Sequence, residues 1–404
     1  MHLGPRTGSG PDLGHLTYCT NIHAGESLDD VMRSLALHLP EVKAGVTGAA
    51  GNQPFGVGLR LGHAAAQQLG DPGALAVLRN FLADGGFYVF TINGFPYGSF
   101  HGRAVKEDAY RPDWSEPQRL AYTNALADIL SQLLPAGQVG SISTVPCTFK
   151  PWAAGRIDAI VDQLIQHVAH LVRIAQRSGQ VITLALEPEP FCHLETIDET
   201  AAFFRGHLFS QAGVAHLAQL CGLSAPAAER AMRLHIGVCY DVCHAAVEFE
   251  DAAGSVATLR EHGIQIAKLQ LSSALRVSAL DATSARQLAA FAEPVYLHQV
   301  VQRSGGELRR FADLPEALAQ AEAAAGSEWR VHFHVPLFLE QMEHFGTTQD
   351  FLADILALHR AEPISPHLEV ETYTWDVLPP AYRSTGLSAA IARELNWVKA
   401  RLLP

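Results

Sequence analysis

Four residues able to hold a divalent cation each stand at the end of a short apolar run. The run from Leu234 to His244 reads Leu-His-Ile-Gly-Val-Cys-Tyr-Asp-Val-Cys-His, which delivers a carboxylate at Asp241 and an imidazole at His244. Val181 to Glu187, Ile264 to Gln270 and His367 to Glu371 repeat the design and end in Glu187, Gln270 and Glu371. Three carboxylates and an amide carbonyl gathered in a dry cleft push one another's pKa values up, because like charges there are poorly screened. A divalent metal is the simplest remedy. An oxygen-rich set favours Mn²⁺ or Mg²⁺, while an imidazole nearby leaves Zn²⁺ or Co²⁺ open.

Such a gathering requires strand ends that converge. Alternation puts His235, Gly237, Cys239 and Asp241 on one face of a buried strand. In a parallel (β/α)8 TIM barrel the C-terminal strand ends meet on one face, where active sites are found. The remaining strands are read at His15 to His23, Phe55 to Leu61, Phe87 to Ile92 and Val139 to Val145. Helical spacing fills the gaps, most clearly from Ile157 to Ile174, and from Glu26 to Leu39, where the helix is expected to stop before Pro40. Strand, helix, strand in that rhythm indicates parallel βαβ units.

The C-terminal part breaks the rhythm. Val295 to Val301 and Leu308 to Phe311 flank Ser304-Gly-Gly-Glu307 in hairpin fashion, and Trp329 to Val335 is a ninth strand-like run. His367 to Glu371 is taken as strand eight because it ends in a carboxylate. The chain is then a flexible segment over 1–14 and one barrel domain over 15–404, with an insertion at about 272–366 between strands seven and eight. The rival assignment puts the His332–His334 strand in the barrel wall. Those two histidines stand two apart and point the same way, either toward ligands or substrate or, on an edge strand, toward water.

With these residues in place, the chain resembles the xylose isomerase-like superfamily of sugar isomerases, epimerases and endonuclease IV-like proteins. The carriers are Glu187 after strand five, Asp241-x-x-His244 after strand six, Gln270 on strand seven and Glu371 after strand eight. More narrowly, Thr17 to His23, Asn93 to Tyr97, Ile142 to Pro146 and Glu369 to Trp375 are similar to the EboE family of metabolite-traffic proteins. The resemblance implies one divalent metal held by Glu187, Asp241, Gln270 and Glu371, with Glu187 and Glu371 also as acid/base groups. It implies that His244 contacts substrate or orients the metal shell. The large insertion with His332 and His334 departs from the pattern.

Other substrate-facing candidates are His23, Asn93, His101 and Trp114, which follow strands one and three, and His334. Lys268 shares the Gln270 face and would either neutralise an enediolate or pair lower in the barrel with Glu369. The aromatic loop after strand three suits a substrate with an apolar face, such as a cyclitol or modified sugar.

The reading that follows is a metal-dependent isomerase or epimerase of a sugar, cyclitol or related hydroxy-ketone. A non-catalytic metabolite-binding or trafficking protein is the alternative, and an endonuclease IV-like phosphodiesterase is disfavoured. The formal net charge of −12 and the lack of a basic run argue against nucleic acid. No run approaches the roughly 20 apolar residues of a membrane span, so a cytoplasmic protein is expected. The six cysteines form no CxxC pair and are read as reduced packing residues. By analogy with barrels of this type, a homodimer is an expectation.

Overall fold

The computed structural model describes residues 1–4, 11–48, 53–99, 101–102, 104–379 and 386–403. Seven strands alternate with helices: β1 (His15–Tyr18), β2 (Phe55–Arg60), β3 (Phe87–Asn93), β4 (Gly140–Thr144), β5 (Ile182–Leu186), β6 (Ile236–Asp241) and β7 (Ile266–Leu271). An inserted region follows with β8 (Ala274–Val277), β9 (Val300–Ser304), β10 (Glu307–Phe311), β11 (Glu328–His334), β12 (Gln341–Met342) and β13 (Phe345–Thr347). The barrel then resumes with β14 (His367–Val370).

The parallel sheet runs β1-β14-β7-β6-β5-β4-β3-β2, so β14 takes the eighth place between β7 and β1. The seam between β1 and β2 is closed by a parallel bridge at Cys19 and Gly58 and by a threonine hydroxyl. Thr17 Oγ1 donates to Gly56 O at 2.8 Å and accepts from Gly58 N at 3.1 Å. Glycine is required at 58, because a Cβ there would lie 1.8 Å from Glu369 Oε1. The chain is a (β/α)8 barrel.

The His332 strand is not in the barrel wall. It lies inside a second, antiparallel sheet of order β10-β9-β11-β8-β13-β12. That sheet ends at Thr347, and the helix Gln349–Ala361 leads into β14 as an ordinary barrel helix. The insertion is therefore shorter than 272–366. A 272–366 boundary takes in a barrel helix because sequence periodicity does not say which sheet a helix covers.

Two local expectations are corrected. The first helix spans Leu28–Thr47 and continues through Pro40. Proline removes one helical hydrogen bond, yet Leu39, Val42 and Val46 on either side stay buried where the helix packs against the C-terminal helix Leu387–Leu402. Burial on both sides of the proline keeps the helix whole. The segment 1–14 is anchored at its start: Met1 and Leu3 are buried, and the Met1 amine donates to Leu16 O. Residues 5–10 of that segment lie outside the described residues. His235 ends the helix Ala225–His235 instead of starting the strand, with Nδ1 2.7 Å from Ile182 O. No helix of the described residues is long and apolar enough to cross a membrane.

Candidate metal and proton-transfer site

Register brings the four strand-end residues together. Asp241 is the last residue of β6 and stands beside Gln270 on β7, while Gln270 pairs on its other side with Glu369. Glu187 and Glu371 follow β5 and β14, with their backbone amides still bonded to Thr144 O and Leu271 O on neighbouring strands. All four side chains are buried. One carboxylate oxygen from each of Glu187, Asp241 and Glu371 lies within 4.8 Å of the others.

The outer edge of the cluster is tied down and its inside is not. Asn21 Nδ2 and Asn93 Nδ2 donate to Glu371 Oε1 at 2.5 and 3.1 Å. Asp241 Oδ1 accepts from Cys243 N, His244 N and Ser272 Oγ at 2.7, 3.2 and 2.6 Å. By contrast Glu187 Oε2, Asp241 Oδ2 and both Gln270 amide atoms have no well-formed hydrogen bond among the described residues. Buried polar atoms are rarely left so, and each orphan has a desolvation penalty of about 1–3 kcal/mol. Burial, then Asp241, pushes the Glu371 carboxyl up to about 7. Burial, then Glu371, holds Glu187 well above the usual carboxylate range. Orphaned oxygens on Glu187, Asp241 and Gln270, with the Glu371 carboxylate beside them, fit a divalent cation.

Asn93, His244, His332 and Glu189 border the same cavity, of about 60 Å³, which Phe95, Tyr110, Tyr296 and Tyr373 close. A larger cleft of about 1160 Å³ opens around Met1, Tyr88 and His367, where no group of metal-holding side chains occurs among the described residues. Barrel chemistry sits at the C-terminal strand ends, which is where the carboxylates are. Lys106 Nζ reaches Asp313 Oδ2 at 2.6 Å and Tyr296 O at 2.7 Å, joining the loop after β3 to the insertion over the cavity.

Several substrate-facing candidates lie elsewhere. Lys268 is fully buried and its Nζ pairs with Glu369 Oε2 at 2.5 Å, one layer below the cluster. Alternation places both side chains inside the barrel but two residues short of its mouth. Trp114 is fully buried, with Nε1 donating to Thr144 Oγ1 at 3.1 Å, and packs in the barrel core. His23 bonds Tyr18 OH at 3.0 Å and stacks on His38 at 4.1 Å, away from the cavity. His101 sits behind the lining, with Nε2 2.5 Å from Asn21 O and Nδ1 3.0 Å from Tyr296 OH. His334 places Nδ1 2.6 Å from Glu371 O and is fully buried, as is neighbouring His332 to within a few per cent, so neither faces water.

Sequence reasoning missed Asn21, Glu189 and Gln299, and read Tyr110 only as part of the aromatic loop that covers the site. Glu189 Oε1 accepts from Tyr110 OH at 2.8 Å, and Tyr110 OH accepts from Gln299 Nε2 at 2.8 Å. Glu189 carried a signal, since it repeats Glu187 two positions on within Glu-Pro-Glu-Pro. Gln299 belongs to the inserted region, and nothing in its neighbourhood announces the contact.

No family model and no curated protein matches the chain. Among solved structures, the IolI protein with a bound zinc atom is 11% identical with a TM-score of 0.45, covering 96% of this chain and 98% of its own. The 3-keto-D-glucoside 4-epimerase YcjR from E. coli is 12% identical with a TM-score of 0.41, covering 96% and 98%. A xylose isomerase domain protein from Planctomyces limnophilus is 14% identical with a TM-score of 0.43, covering 86% and 89%.

Proposed function

We propose that the protein is a metal-dependent isomerase or epimerase that moves a proton on a sugar, cyclitol or related hydroxy-ketone through an enediolate. The observation that carries this reading is the convergence of Glu187, Asp241 and Glu371 around orphaned oxygens, with Gln270 beside them. A divalent cation held by Glu187, Asp241, Gln270 and Glu371 would act as a Lewis acid toward adjacent substrate oxygens.

The chain's own groups do the rest. One of Glu187 and Glu371 removes the proton next to the carbonyl. If the other returns it from the opposite face, the carbon is epimerised; if the same proton is delivered to the neighbouring carbon, the result is aldose-ketose isomerisation. Asn21 and Asn93 fix the Glu371 carboxylate in one orientation by donating to Oε1. Phe95, Tyr110, Tyr296 and Tyr373 exclude water and offer apolar faces to the carbon skeleton. Ligand pockets commonly measure about 300–1,000 Å³, so a cavity of about 60 Å³ is smaller than a sugar-sized molecule needs.

The test is incubation with a panel of ketoses and cyclitols in D₂O with Mn²⁺, Mg²⁺, Co²⁺ or Zn²⁺. Deuterium should enter the carbon next to the carbonyl, and should stop doing so in Glu187→Gln and Glu371→Gln. Wild-type protein that binds members of the panel yet exchanges none would sink the catalytic reading and leave a carrier.

A further inference from the structure

Above the carboxylates lie three imidazoles that the proposed proton transfer does not use: His244, His332 and His334. Each has Nδ1 against an oxygen. His244 Nδ1 is 2.9 Å from Pro188 O, His334 Nδ1 is 2.6 Å from Glu371 O, and His332 Nδ1 is 2.7 Å from Gln299 Oε1. A peptide carbonyl has no proton to give, so the first two rings donate. Gln299 turns its oxygen to His332 because its Nε2 donates to Tyr110 OH at 2.8 Å and Pro190 O at 3.1 Å. A neutral imidazole carries one N–H. With Nδ1 donating, the neutral form of each ring leaves its Nε2 as a lone pair.

Those lone pairs face one another. His244 Nε2 and His332 Nε2 are 3.1 Å apart, which is a repulsive contact when neither carries a proton. His334 Nε2 and Asp241 Oδ2 have no hydrogen-bond partner among the described residues. Asp241 Oδ2 stands 3.7 Å from His244 Nε2, and the ligand atoms of Asp241, His244 and His334 lie within 4.8 Å of one another.

We propose that Asp241, His244 and His334, with His332 alongside, form a second cation site, rich in imidazole and suited to Zn²⁺ or a similar borderline metal. Zn–N bonds of about 2.0–2.1 Å put tetrahedral ligands about 3.3 Å apart, close to the 3.1 Å between the two Nε2 atoms. Metal-bound histidines almost always donate their other N–H to a carbonyl or carboxylate, and here all three point it at a carbonyl or amide oxygen. Asp241 belongs to both groups of ligand atoms: Oδ1 is engaged by the chain, and Oδ2, left without a hydrogen bond, stands 3.7 Å from His244 Nε2. The insertion completes this site, since His332 and His334 come from β11 while Asp241 and His244 come from β6 and the helix that follows it.

The site does not depend on proton exchange by Glu187 and Glu371, so metal analysis and the deuterium assay fail separately. Full-length protein would be stripped with a chelator, reloaded with Zn²⁺ or Co²⁺, dialysed, and examined by elemental analysis and X-ray absorption. The expected result is about two cations per wild-type chain with imidazole in the shell. Glu187→Gln with Glu371→Gln should keep the imidazole-bound cation. His332→Ala with His334→Ala should lose that cation and keep the oxygen-bound one, with circular dichroism checking the fold. A single imidazole-bound cation, lost only in the histidine variant, also supports this site while overturning the carboxylate site. Wild-type protein with no imidazole in the metal shell overturns the proposal without any variant. So does ¹⁵N NMR showing one proton shared by His244 and His332 and no zinc uptake.

Discussion

Two layers of the same barrel treat buried carboxylates in opposite ways. In the lower layer Glu369 meets Lys268 at 2.5 Å, and both are fully buried. One layer up, Glu187, Asp241 and Glu371 meet with no lysine or arginine among them. The lower carboxylate has a lysine of the chain as its counter-ion, whereas the upper cluster has neighbours that bind only its rim. A barrel can thus carry the same charge type as structure at one depth and as a site at the next, and the difference lies in whether the chain brings its own cation.

The largest effect should come from the upper layer. Glu187→Gln should lower proton exchange about 10²- to 10⁴-fold. The same change should stabilise the metal-free protein by roughly 1–3 kcal/mol, because it removes a buried carboxyl that must take up a proton or stay charged beside Glu371 and Asp241. Thermal melts of chelator-treated wild type and variant, with the exchange assay alongside, read both. An equal loss of stability would mean that Glu187 is already paired, and the contrast between the layers would fall.

In the lower layer the sign reverses. Lys268→Met leaves Glu369 buried without its partner and should destabilise by about 3–5 kcal/mol in denaturant unfolding. Adding Glu369→Leu should recover much of that loss. If the single variant is as stable as wild type, the pair is not what completes the layer.

Another buried carboxyl, that of Glu394, lies outside both layers. Glu394 Oε1 accepts from Thr372 Oγ1 at 2.7 Å and Leu337 N at 3.1 Å, and burial raises its carboxyl to about 7. Between the unfolded value near 4.5 and about 7 the folded state keeps a proton that the unfolded chain has lost. Stability from this group therefore falls as pH rises through that window, by at most roughly 3 kcal/mol. Glu394→Gln should flatten the dependence and melt higher at pH 8, whereas an unchanged pH profile would place the proton elsewhere.

The smallest effect concerns Trp114. Trp114→Phe loses the bond to Thr144 and should cost about 1–2 kcal/mol of stability while leaving proton exchange intact. Exchange that fell with it would return Trp114 to the substrate's surroundings.

The barrel was legible because its strands are short apolar runs in a helix-alternating rhythm, and parallel strands must be followed by crossovers. The carboxylate set was legible because Glu187, Asp241 and Glu371 each stand where such a run stops. Lys268 was legible only as a choice between the substrate and a deeper pair with Glu369, since alternation gives the face a residue shares but not its depth in the barrel. Pro40 was misread for a related reason: local rules end a helix there, while burial of Leu39, Val42 and Val46 carries it on.

The sequence by itself determined the alternation of strands and helices and put Glu187, Asp241, Gln270 and Glu371 at or beside strand ends, because those follow from local periodicity. Only the tertiary structure decided that Lys268 belongs to Glu369, that β11 lies in a second sheet, and that His332 faces His244 from 88 positions away. Pairings of that kind depend on register and on how one sheet is laid over another. Neither leaves a mark in the spacing of nearby residues.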